Sequence, residues 1–393
     1  MSNSQKTIYN VNILGAGVSG LSTALALLEK GHYSVKIIAT HFPSDLSIDY
    51  TSPWAGASWR SFADNADIEQ QKLDAATFNR MAHLAETDPK AGIMFLNGCE
   101  VWDAKPKNFE DPWFKSFLKN LTIHTPFAQY RYLSKEELPP GTEFGITYRT
   151  ISINTPKYLA YLLEQVMARG GVIERGTVSS LKALAQIPHN TSISKSSKAD
   201  IIVNCSGLGS RNLLGVHDHQ MFPTRGQIMV VKVPDEIWPK AKQITIGRYG
   251  EGSAMGAGTI TYVIPRDNGE IILGGTMEHW NYQEVASEET SKAIIERVLN
   301  TRPDLFSKAT ILRDCVGLRP NRRGGVRVSA SVEQLDWNEG WNPFVMTVAH
   351  NYGHAGFGYQ SSVGCANKTV ENIERCLGEM QAVRSEARSM SKL

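Results

Sequence analysis

The sequence predicts a mixed α/β fold in which a Rossmann-like dinucleotide-binding unit is combined with a separate, mostly antiparallel β-sheet. Three features lead to this prediction: a glycine-rich turn between a strand and a helix near the start, two later strands that also open into glycine-rich loops, and β-branched extended stretches between about residues 221 and 297. At about 150 residues per domain, 393 residues allow two or three domains with a sizeable core.

The dinucleotide-binding unit begins with YNVNILGAGVSG at residues 9–20, where an apolar strand runs into Gly15-x-Gly17-x-x-Gly20 and then into a helix. Gly15 allows a tight turn, Gly17 lets a pyrophosphate approach the backbone, and Gly20 lets the helix pack closely on the strand. A second strand follows at 35–39. This turn within a βαβ unit strongly indicates a bound dinucleotide, whose phosphates face the helix amino end.

No acidic residue follows the second strand, which ends in Ala39-Thr40-His41. Rossmann units that bind NAD place an Asp or Glu there to hold a ribose hydroxyl. The adenosine ribose must therefore be held by Thr40 or by backbone groups. This favours a flavin dinucleotide, gripped along its whole length, over a free nicotinamide coenzyme, without deciding between them.

A second strand-to-helix unit is predicted in the middle of the chain. Residues 147–154 are extended and alternating, Thr155 is predicted to cap a helix with Pro156 at its first position, and Gly170-Gly171 ends that helix. The apolar strand at 199–205 then opens into a Gly/Ser loop. That loop is either a second place where backbone approaches a cofactor or an ordinary turn.

The separate sheet is predicted around a β-hairpin. Its strands are residues 261–265 and 270–274, joined by the turn Arg266-Asp267-Asn268-Gly269. Residues 91–103 and 128–138 are expected to join the same sheet. Such a sheet would form one wall of a substrate cavity.

The last third of the chain carries an arginine cluster and a third glycine-rich loop. Arg319, within CVGLRPNRRGG, is either an anchor for a carboxylate, which a guanidinium grips bidentately, or part of a solvated surface. The strand at 344–349 runs into HNYGHAGFGYQ, which would aim amides and a helix amino end at an anion or an electron-rich ring. Its His350 and His354 are either proton carriers or structural groups.

Charge and cysteine usage narrow the function. With 41 basic and 39 acidic residues, the chain lacks the charge excess of a nucleic-acid binder. There is no run of about 18 apolar residues and no secretion signal, so we expect a soluble intracellular protein without a membrane partner. The five cysteines are scattered without metal-ligand spacing, so we expect reduced thiols and no metal.

The final tripeptide, Ser391-Lys392-Leu393, is the signal that the peroxisomal import receptor reads. From about Gln381 onward the residues are small, polar and basic, which predicts a flexible tail presenting that signal. We therefore expect a protein of the peroxisomal matrix. Peroxisomes house oxidases that make hydrogen peroxide, so the location bears on the chemistry.

Together these segments resemble the D-amino-acid oxidase family, particularly its fungal members, which also includes the D-aspartate oxidases. The likeness runs in order along nearly the whole chain. It is carried by GAGVSGLS (15–22), YTSPWAGA (50–57), VNCSGLGS (203–210), RGQI (225–228), YVIPRDNGEIILGGT (262–276), VGLRPNRRGGVRV (316–328), HNYGHAGFGYQSS (350–362) and the final SKL.

The resemblance implies a Rossmann-like FAD-binding domain interleaved with a mostly antiparallel substrate domain, usually in a homodimer. The expected FAD domain comprises residues 1–95, 150–220 and 310–380, the substrate domain 96–149 and 221–309, and the tail 381–393. The implied reaction is hydride transfer from a D-amino acid to noncovalent FAD. Oxygen becomes hydrogen peroxide, and the imino acid hydrolyses to a 2-oxo acid and ammonia.

The resemblance also implies a site. Arg319 would pair with the substrate carboxylate, Tyr262 would donate a hydrogen bond to it, and Gln360 would complete the catalytic set. The expected FAD-binding residues are Gly15, Ala16, Gly17, Val18, Ser19, Gly20, Thr40, Ser52, Gly56, Ala57, Ser58, Val178, Ser206, Gly207, Gly353, Gly356, Phe357, Gly358, Tyr359 and Gln360.

Two residues of the expected substrate pocket, beside Phe62, bear on which side chain it accepts. Met277 follows GGT, at a position where many fungal relatives have Tyr and mammalian D-aspartate oxidases tend to have Arg. The thioether of Met277 suits substrates with apolar side chains. Arg60 either attracts D-aspartate or D-glutamate at the pocket mouth or lies solvated at the surface. We expect neutral D-amino acids. The alternatives are acidic D-amino acids, an amine oxidase of the glycine or sarcosine type, and a catalytically silent FAD-binding protein.

Overall fold

The computed structural model describes residues 7–120, 129–191, 194–196, 198–250, 260–335 and 344–390. Within them the strands are β1 (Tyr9–Leu14), β2 (Tyr33–Ala39), β3 (Ile93–Trp102), β4 (Arg131–Tyr132), β5 (Phe144–Ile153), β6 (Val172–Arg175), β7 (His189–Asn190), β8 (Lys195–Ser196), β9 (Ile201–Asn204), β10 (Met221–Lys232), β11 (Ile244–Tyr249), β12 (Ile260–Pro265), β13 (Glu270–Gly274), β14 (Glu278–His279), β15 (Thr310–Arg322), β16 (Arg327–Leu335) and β17 (Phe344–Tyr352). The α-helices are α1 (Val18–Glu29), α2 (Ile68–Thr87), α3 (Phe114–Lys119), α4 (Thr155–Ala168), α5 (Leu181–Gln186), α6 (Trp238–Ala241), α7 (Glu288–Thr301), α8 (Pro303–Phe306) and α9 (Ser362–Met390). Within these ranges, no helix is both long and apolar enough to cross a membrane.

One sheet carries the predicted dinucleotide-binding unit. Its six strands run in the order β16-β17-β9-β1-β2-β6, and all neighbours pair in parallel except β16 with β17. β1, α1 and β2 form the expected βαβ unit, in register from Tyr9 opposite Tyr33 to Leu14 opposite Ile38. Because β1, β2, β9 and β17 are parallel, their carboxyl ends meet at one edge of the sheet. The three predicted glycine-rich loops follow β1, β9 and β17 at that edge.

Helices cover both faces of this sheet. α1, α2, α4 and α9 share one hydrophobic core with its strands, and α5 lies on the opposite face. The start of α9 lies directly on α2: a Cβ at Gly364 would be 2.2 Å from the Leu73 carbonyl oxygen, and the Gly364 amide donates to the Thr77 hydroxyl over 3.0 Å. This close approach fixes the end of the third glycine-rich loop against α2.

The second sheet is nine-stranded and mostly antiparallel, as the hairpin predicts. Its strands run in the order β14-β10-β13-β12-β11-β3-β5-β4, and β15 pairs with β10. The parallel pair is β11 with β3. Alternate residues of β12 face opposite sides: Val263 packs on α7, whereas Tyr262 and Ile264 belong to a smaller cluster on the other face. That face forms a wall of the cavity described below.

Several sequence-based expectations differ from the structure. Residues 288–301, most of which fall in the stretch expected to be extended, form helix α7, which Ser287 caps by accepting from the Thr290 amide. Residues 310–322, expected in the FAD domain, form β15 and pair along β10 of the nine-stranded sheet. Residues 93–95 and 150–153, also expected in the FAD domain, are the ends of β3 and β5 in the same sheet. The cap of α4 is Asn154, whose side chain accepts from the Lys157 amide, and Thr155 is the first helical residue. The tail expected from 381 is helical as far as Met390, because residues such as Gln, Ala, Arg and Glu favour helix and no Gly or Pro interrupts them.

Because three of its histidines are buried, we expect the folded protein to lose stability in mild acid. Burial lowers the pKa of His189 to about 4, of His350 to about 3 and of His354 to about 4. Their unfolded pKa is near 6.5, so between these values the unfolded chain binds more protons and stability falls as the pH falls. Asp74 acts in the opposite direction, because burial raises its pKa to about 6.

The three histidines destabilise the fold in acid and Asp74 alone stabilises it, so we expect the unfolding free energy to drop by a few kcal/mol between pH 7 and pH 5. Urea unfolding at the two pH values, with FAD in constant excess, measures this. Replacing His189 by glutamine should flatten the dependence. A midpoint that is equal at both pH values would contradict the prediction.

Candidate active site

A cavity of about 1660 Å³ lies where the carboxyl ends of the parallel strands face the nine-stranded sheet. A small-molecule pocket typically has 300–1,000 Å³, so this volume has room for a dinucleotide and a second, small ligand. All but one of the residues predicted to bind FAD or substrate line the cavity. They are Gly15, Ala16, Gly17, Val18, Ser19, Thr40, Ser52, Gly56, Ala57, Ser58, Arg60, Phe62, Val178, Ser206, Gly207, Tyr262, Met277, Arg319, Gly353, Gly356, Phe357, Gly358, Tyr359 and Gln360.

Gly20 is the exception, and its position agrees with the packing role that its spacing predicts. A Cβ at Gly20 would lie 1.9 Å from the Gly15 carbonyl oxygen, so α1 approaches the loop closely. Gly15 has a φ of +105°, and a Cβ there would lie 2.5 Å from the Cys205 carbonyl oxygen. Only glycine fits this turn without strain. The first and second glycine-rich loops are therefore in direct contact.

The segment 50–58 joins these loops to the second sheet. The Tyr50 hydroxyl donates to the Ala16 carbonyl over 2.7 Å, and the Ser52 hydroxyl accepts from the Val18 amide at the amino end of α1 over 3.1 Å. The Tyr359 hydroxyl donates to the Ser52 carbonyl over 2.9 Å. The first and third loops are thus held together through one short segment.

Arg266, which was predicted only as a turn residue, anchors the other end of this segment. Its guanidinium is fully buried and donates to the carbonyls of Ala55 and Gly56 over 2.8 Å each. It also contacts Glu270 at 3.2 Å. The hairpin turn therefore holds the cavity-lining loop in place.

The residues present fit a bound FAD. The first turn of α1 has no acidic side chain, and a Cβ at Gly17 would lie 2.9 Å from the Ser52 hydroxyl oxygen, so the bare backbone leaves room for a phosphate there. Three residues of the cavity lining also carry a buried polar atom without a hydrogen-bond partner among the described residues: Oδ1 of Asn321, Oδ1 of Asn351 and Nε2 of His354. Such orphaned atoms are costly unless a ligand or water meets them. Burial lowers the His354 pKa to about 4, so the ring is neutral at pH 7. The three glycine-rich loops of the lining suit a ligand that carries phosphates and other acceptors along its length.

Arg319 and Tyr262 form a pair on the wall of the cavity. Arg319 Nη1 donates to the Thr276 carbonyl over 3.0 Å, and its Nη2 donates to the Tyr262 hydroxyl oxygen over 3.5 Å. No carboxylate among the described residues forms an ion pair with Arg319. The guanidinium is thus oriented by neutral acceptors and keeps its charge for a ligand.

Two glycines that the sequence reasoning did not single out make room for this pair. A Cβ at Gly226, on the neighbouring strand β10, would lie 2.3 Å from Arg319 Nη1, and one at Gly274 would lie 2.1 Å from Tyr262 Cζ. Both glycines stand in motifs that carry the family resemblance, RGQI (225–228) and GGT (274–276), and those motifs are the signal by which they could have been found. Neither had a predicted role.

Replacing Gly226 by alanine is therefore expected to displace the Arg319 guanidinium while leaving the FAD-binding loops unchanged. We expect FAD to bind as in the wild type and kcat/KM for a D-amino acid to fall by about tenfold or more, because a misplaced charged group loses about 1.5–3 kcal/mol of hydrogen bonding. The control is Gly378→Ala, since a Cβ at Gly378 on α9 meets nothing within 4 Å. Unchanged kcat/KM in Gly226→Ala would contradict the assignment.

Arg60 does not match either of its two interpretations. Its side chain is 20% exposed, so it is not a solvated surface arginine. It is also not a free charge at the pocket mouth, because Nε and Nη2 donate to the two carboxylate oxygens of Glu100 over 2.8 and 2.9 Å. Glu100, only 3% exposed, also accepts from the Tyr148 hydroxyl over 2.6 Å and from Tyr249 over 3.4 Å. This buried pair, which the sequence did not reveal, neutralises Arg60.

The other predicted pocket residues lie in the cavity lining with different exposure. Met277 is 47% exposed and lies at the rim. Phe62 packs against Phe357, with ring centroids 5.1 Å apart, and the Arg60 guanidinium lies 4.3 Å from its ring. Gln360 is buried, and its Nε2 donates to Asp74 over 2.9 Å. Asp74 was not predicted, because nothing local in the sequence distinguishes it from other helix carboxylates.

Comparison with known proteins agrees with this geometry. Residues 10–372 match the family model described as FAD dependent oxidoreductase. The D-amino-acid oxidase of Schizosaccharomyces pombe is 32% identical over 368 residues, covering 92% of this chain and 95% of that protein. The D-aspartate oxidase of Cryptococcus neoformans var. grubii is 32% identical over 404 residues, covering 92% and 95%.

Solved structures show the same fold. The glycine oxidase of Geobacillus kaustophilus superimposes with a TM-score of 0.66 at 16% identity, over 94% of this chain and 95% of that one. The glycine oxidase of Bacillus cereus gives 0.65, also at 16%. These structures confirm the mixed α/β fold, and the family model and the related sequences confirm the FAD-dependent chemistry and the family resemblance. The chain belongs to the FAD dependent oxidoreductase family that contains the D-amino-acid and D-aspartate oxidases.

Proposed function

We propose that this protein oxidises D-amino acids. The overall reaction converts a D-amino acid, O2 and water to a 2-oxo acid, ammonia and hydrogen peroxide. The three glycine-rich loops would hold FAD, which would supply the two-electron acceptor. The single observation that carries the proposal is the guanidinium of Arg319, which faces a cofactor-sized cavity beside Tyr262 and has no carboxylate partner among the described residues.

Arg319 would bind the substrate carboxylate. Two parallel N–H···O bonds fix the direction of a carboxylate as well as its position. The Tyr262 hydroxyl accepts from Arg319 and so keeps its own proton to donate to the same carboxylate. With the carboxylate fixed at two points, rotation of the substrate is restricted and its α-hydrogen keeps one direction in the cavity. Orientation of this kind lowers a barrier by several kcal/mol without a strong base.

Glu100, a carboxylate of the cavity lining, is not available as a base for the substrate. Both oxygens of Glu100 are engaged by Arg60, and Tyr148 adds a third hydrogen bond. We propose that the substrate amine loses its proton to solvent or to a weak acceptor before the α-hydrogen is transferred. The residues of this chain therefore act mainly by binding and orienting.

Neutral side chains are the favoured substrate class. The Arg60 charge is compensated by Glu100, and Met277 adds an uncharged thioether at the rim. A second candidate is oxidation of D-aspartate or D-glutamate, which Arg297 favours: this residue also lines the cavity and forms no ion pair with described residues. It donates instead to Thr261 Oγ1 over 3.1 Å.

Anaerobic mixing of the yellow, FAD-loaded protein with single amino acids tests the proposal. We expect D-alanine and D-methionine to bleach the flavin, and L-amino acids, glycine and sarcosine to do so far more slowly. A kcat/KM for D-aspartate well above that for D-alanine, abolished in Arg297→Met, would select the second candidate. Bleaching by glycine or sarcosine alone, or by no amine, would overturn the proposal.

We also propose delivery to the peroxisomal matrix, on the basis of Ser391-Lys392-Leu393, which lies outside the described residues. Deleting Leu393 is expected to leave specific activity unchanged but to leave enzyme with an amino-terminal fluorescent tag in the cytosol. Import of the truncated form at the wild-type level would contradict this.

We propose a homodimer from the family resemblance. Sedimentation equilibrium should then give twice the mass of one chain.

A further inference from the structure

The amide of Gln360 has one orientation in the structure. Gln360 lines the cavity at the end of the third glycine-rich loop, two residues before α9, and is 5% exposed. Its Nε2 donates to Oδ2 of Asp74 over 2.9 Å, and no described residue donates to its Oε1. An ionised carboxylate only accepts hydrogen bonds. The Asp74 carboxylate therefore requires the NH2 group of Gln360 to face it, so that the amide oxygen of Gln360 points away from Asp74.

Asp74 is itself held firmly. It lies on α2, is 0% exposed, and accepts from the Ser61 hydroxyl over 2.6 Å and from Gln70 Nε2 over 2.8 Å, besides Gln360. No described lysine or arginine forms an ion pair with it. A buried charge without a cation is tolerated only when hydrogen bonds satisfy it. Burial raises its pKa to about 6 while these hydrogen bonds lower it, so the group is mostly ionised at pH 7 to 8.

The backbone geometry keeps Asp74 and Gln360 in reach of each other. Gly364, at the start of α9, lies so close to the Leu73 carbonyl that a Cβ would not fit between them. Leu73 is the residue before Asp74. The Gly364 amide also bonds to Thr77, one helical turn further along α2. A hydrogen bond between residues 286 positions apart is thus supported by direct contact of the two helices.

We propose that Asp74 is a positioning residue that keeps the Gln360 amide oxygen toward the cavity, where it accepts a hydrogen bond from the amino group of the substrate. The inference rests on the proposed function. An amino group presents N–H donors, which an oxygen satisfies and an NH2 group repels. Asp74 does not touch the substrate; it acts by excluding the wrong amide orientation.

The test compares two ligands that differ by the amino group. D-Alanine carries an amine and a carboxylate, whereas propionate carries the carboxylate alone. With FAD-loaded Asp74→Asn, we expect kcat/KM for D-alanine to fall by about tenfold or more, the typical effect of a hydrogen bond to a charged group. The Kd of propionate, read from the flavin absorbance change, should stay within about twofold, because Arg319 and Tyr262 are untouched.

Two further variants separate positioning from general damage. Gln360→Leu should show the same selective loss, and Asp74→Asn combined with Gln360→Leu should be no worse than Gln360→Leu alone. Gln70→Ala removes another hydrogen bond from the same carboxylate without touching Gln360, so it should retain turnover of D-alanine. Asp74→Ser, uncharged and smaller, is the second variant if Asp74→Asn does not fold; it likewise allows both amide orientations.

An unchanged kcat/KM in Asp74→Asn, an equal loss of propionate binding, or additive losses in the double variant would overturn the proposal. Failure of the proposed function gives a different result, because it is read from the wild type: no D-amino acid would bleach its flavin. If the wild type prefers another amine, the same comparison is made with that amine and the carboxylate lacking its amino group.

Discussion

Replacing Arg319 by leucine is expected to lower kcat/KM for every D-amino acid by at least about a hundredfold while FAD remains bound. Leucine removes the charged partner of a carboxylate inside a cavity, a loss of about 3–5 kcal/mol, and about 1.4 kcal/mol corresponds to a factor of ten. It also leaves the Thr276 carbonyl and the Tyr262 hydroxyl without the donor they have now. Steady-state kinetics and the flavin absorbance of the purified variant measure both parts of the prediction.

Arg319→Lys should recover only part of the activity, since a point charge does not reproduce two parallel hydrogen bonds. The matched control is Arg323→Leu, because Arg323 is an exposed arginine of the same cluster and lies 6.0 Å from the ring of Trp280. This control should turn over D-alanine as the wild type does. Substantial activity in Arg319→Leu would show that the carboxylate binds elsewhere.

The parts of the fold that the sequence predicts are those that depend on neighbouring residues. The turn at Gly15 is recognisable because its positive φ and its contact with Cys205 exclude every residue except glycine. The hairpin is recognisable because turn residues separate two apolar strands. In both cases a few consecutive positions carry the whole physical requirement, so a short pattern is sufficient.

The parts that the sequence does not predict depend on residues far apart in the chain. The pattern of residues 310–322 indicates a strand, but strand pairing decides which sheet it joins, and its partner is β10. Similarly, Arg60 is an ordinary arginine in the sequence, and only the fold brings Glu100 to it. The choice of Asn154 over Thr155 as a cap is a smaller case, since both side chains can accept the same hydrogen bond.

The pair of Arg60 and Glu100 changes what a substitution at Arg60 is expected to do. If Arg60 were a free charge that reads acidic substrates, its loss would affect only D-aspartate and D-glutamate. In the structure its loss leaves the Glu100 carboxylate, 3% exposed, without a cation. Breaking a buried ion pair from one side costs about 3–5 kcal/mol. The main effect therefore falls on stability and on all substrates alike.

We accordingly expect Arg60→Met, which keeps most of the side-chain length, to lower the unfolding free energy by about 3–5 kcal/mol. Adding Glu100→Gln should recover most of this loss, because the remaining buried group is then neutral and still accepts from Tyr148. The matched control is Arg131→Met: Arg131 pairs with both oxygens of Glu137 over 2.7 Å, but the two side chains are 50% and 41% exposed. An exposed pair contributes about 0–1 kcal/mol. Urea unfolding of the FAD-loaded variants separates the cases, and a selective loss of D-aspartate turnover with unchanged stability would restore Arg60 as a reader of acidic substrates.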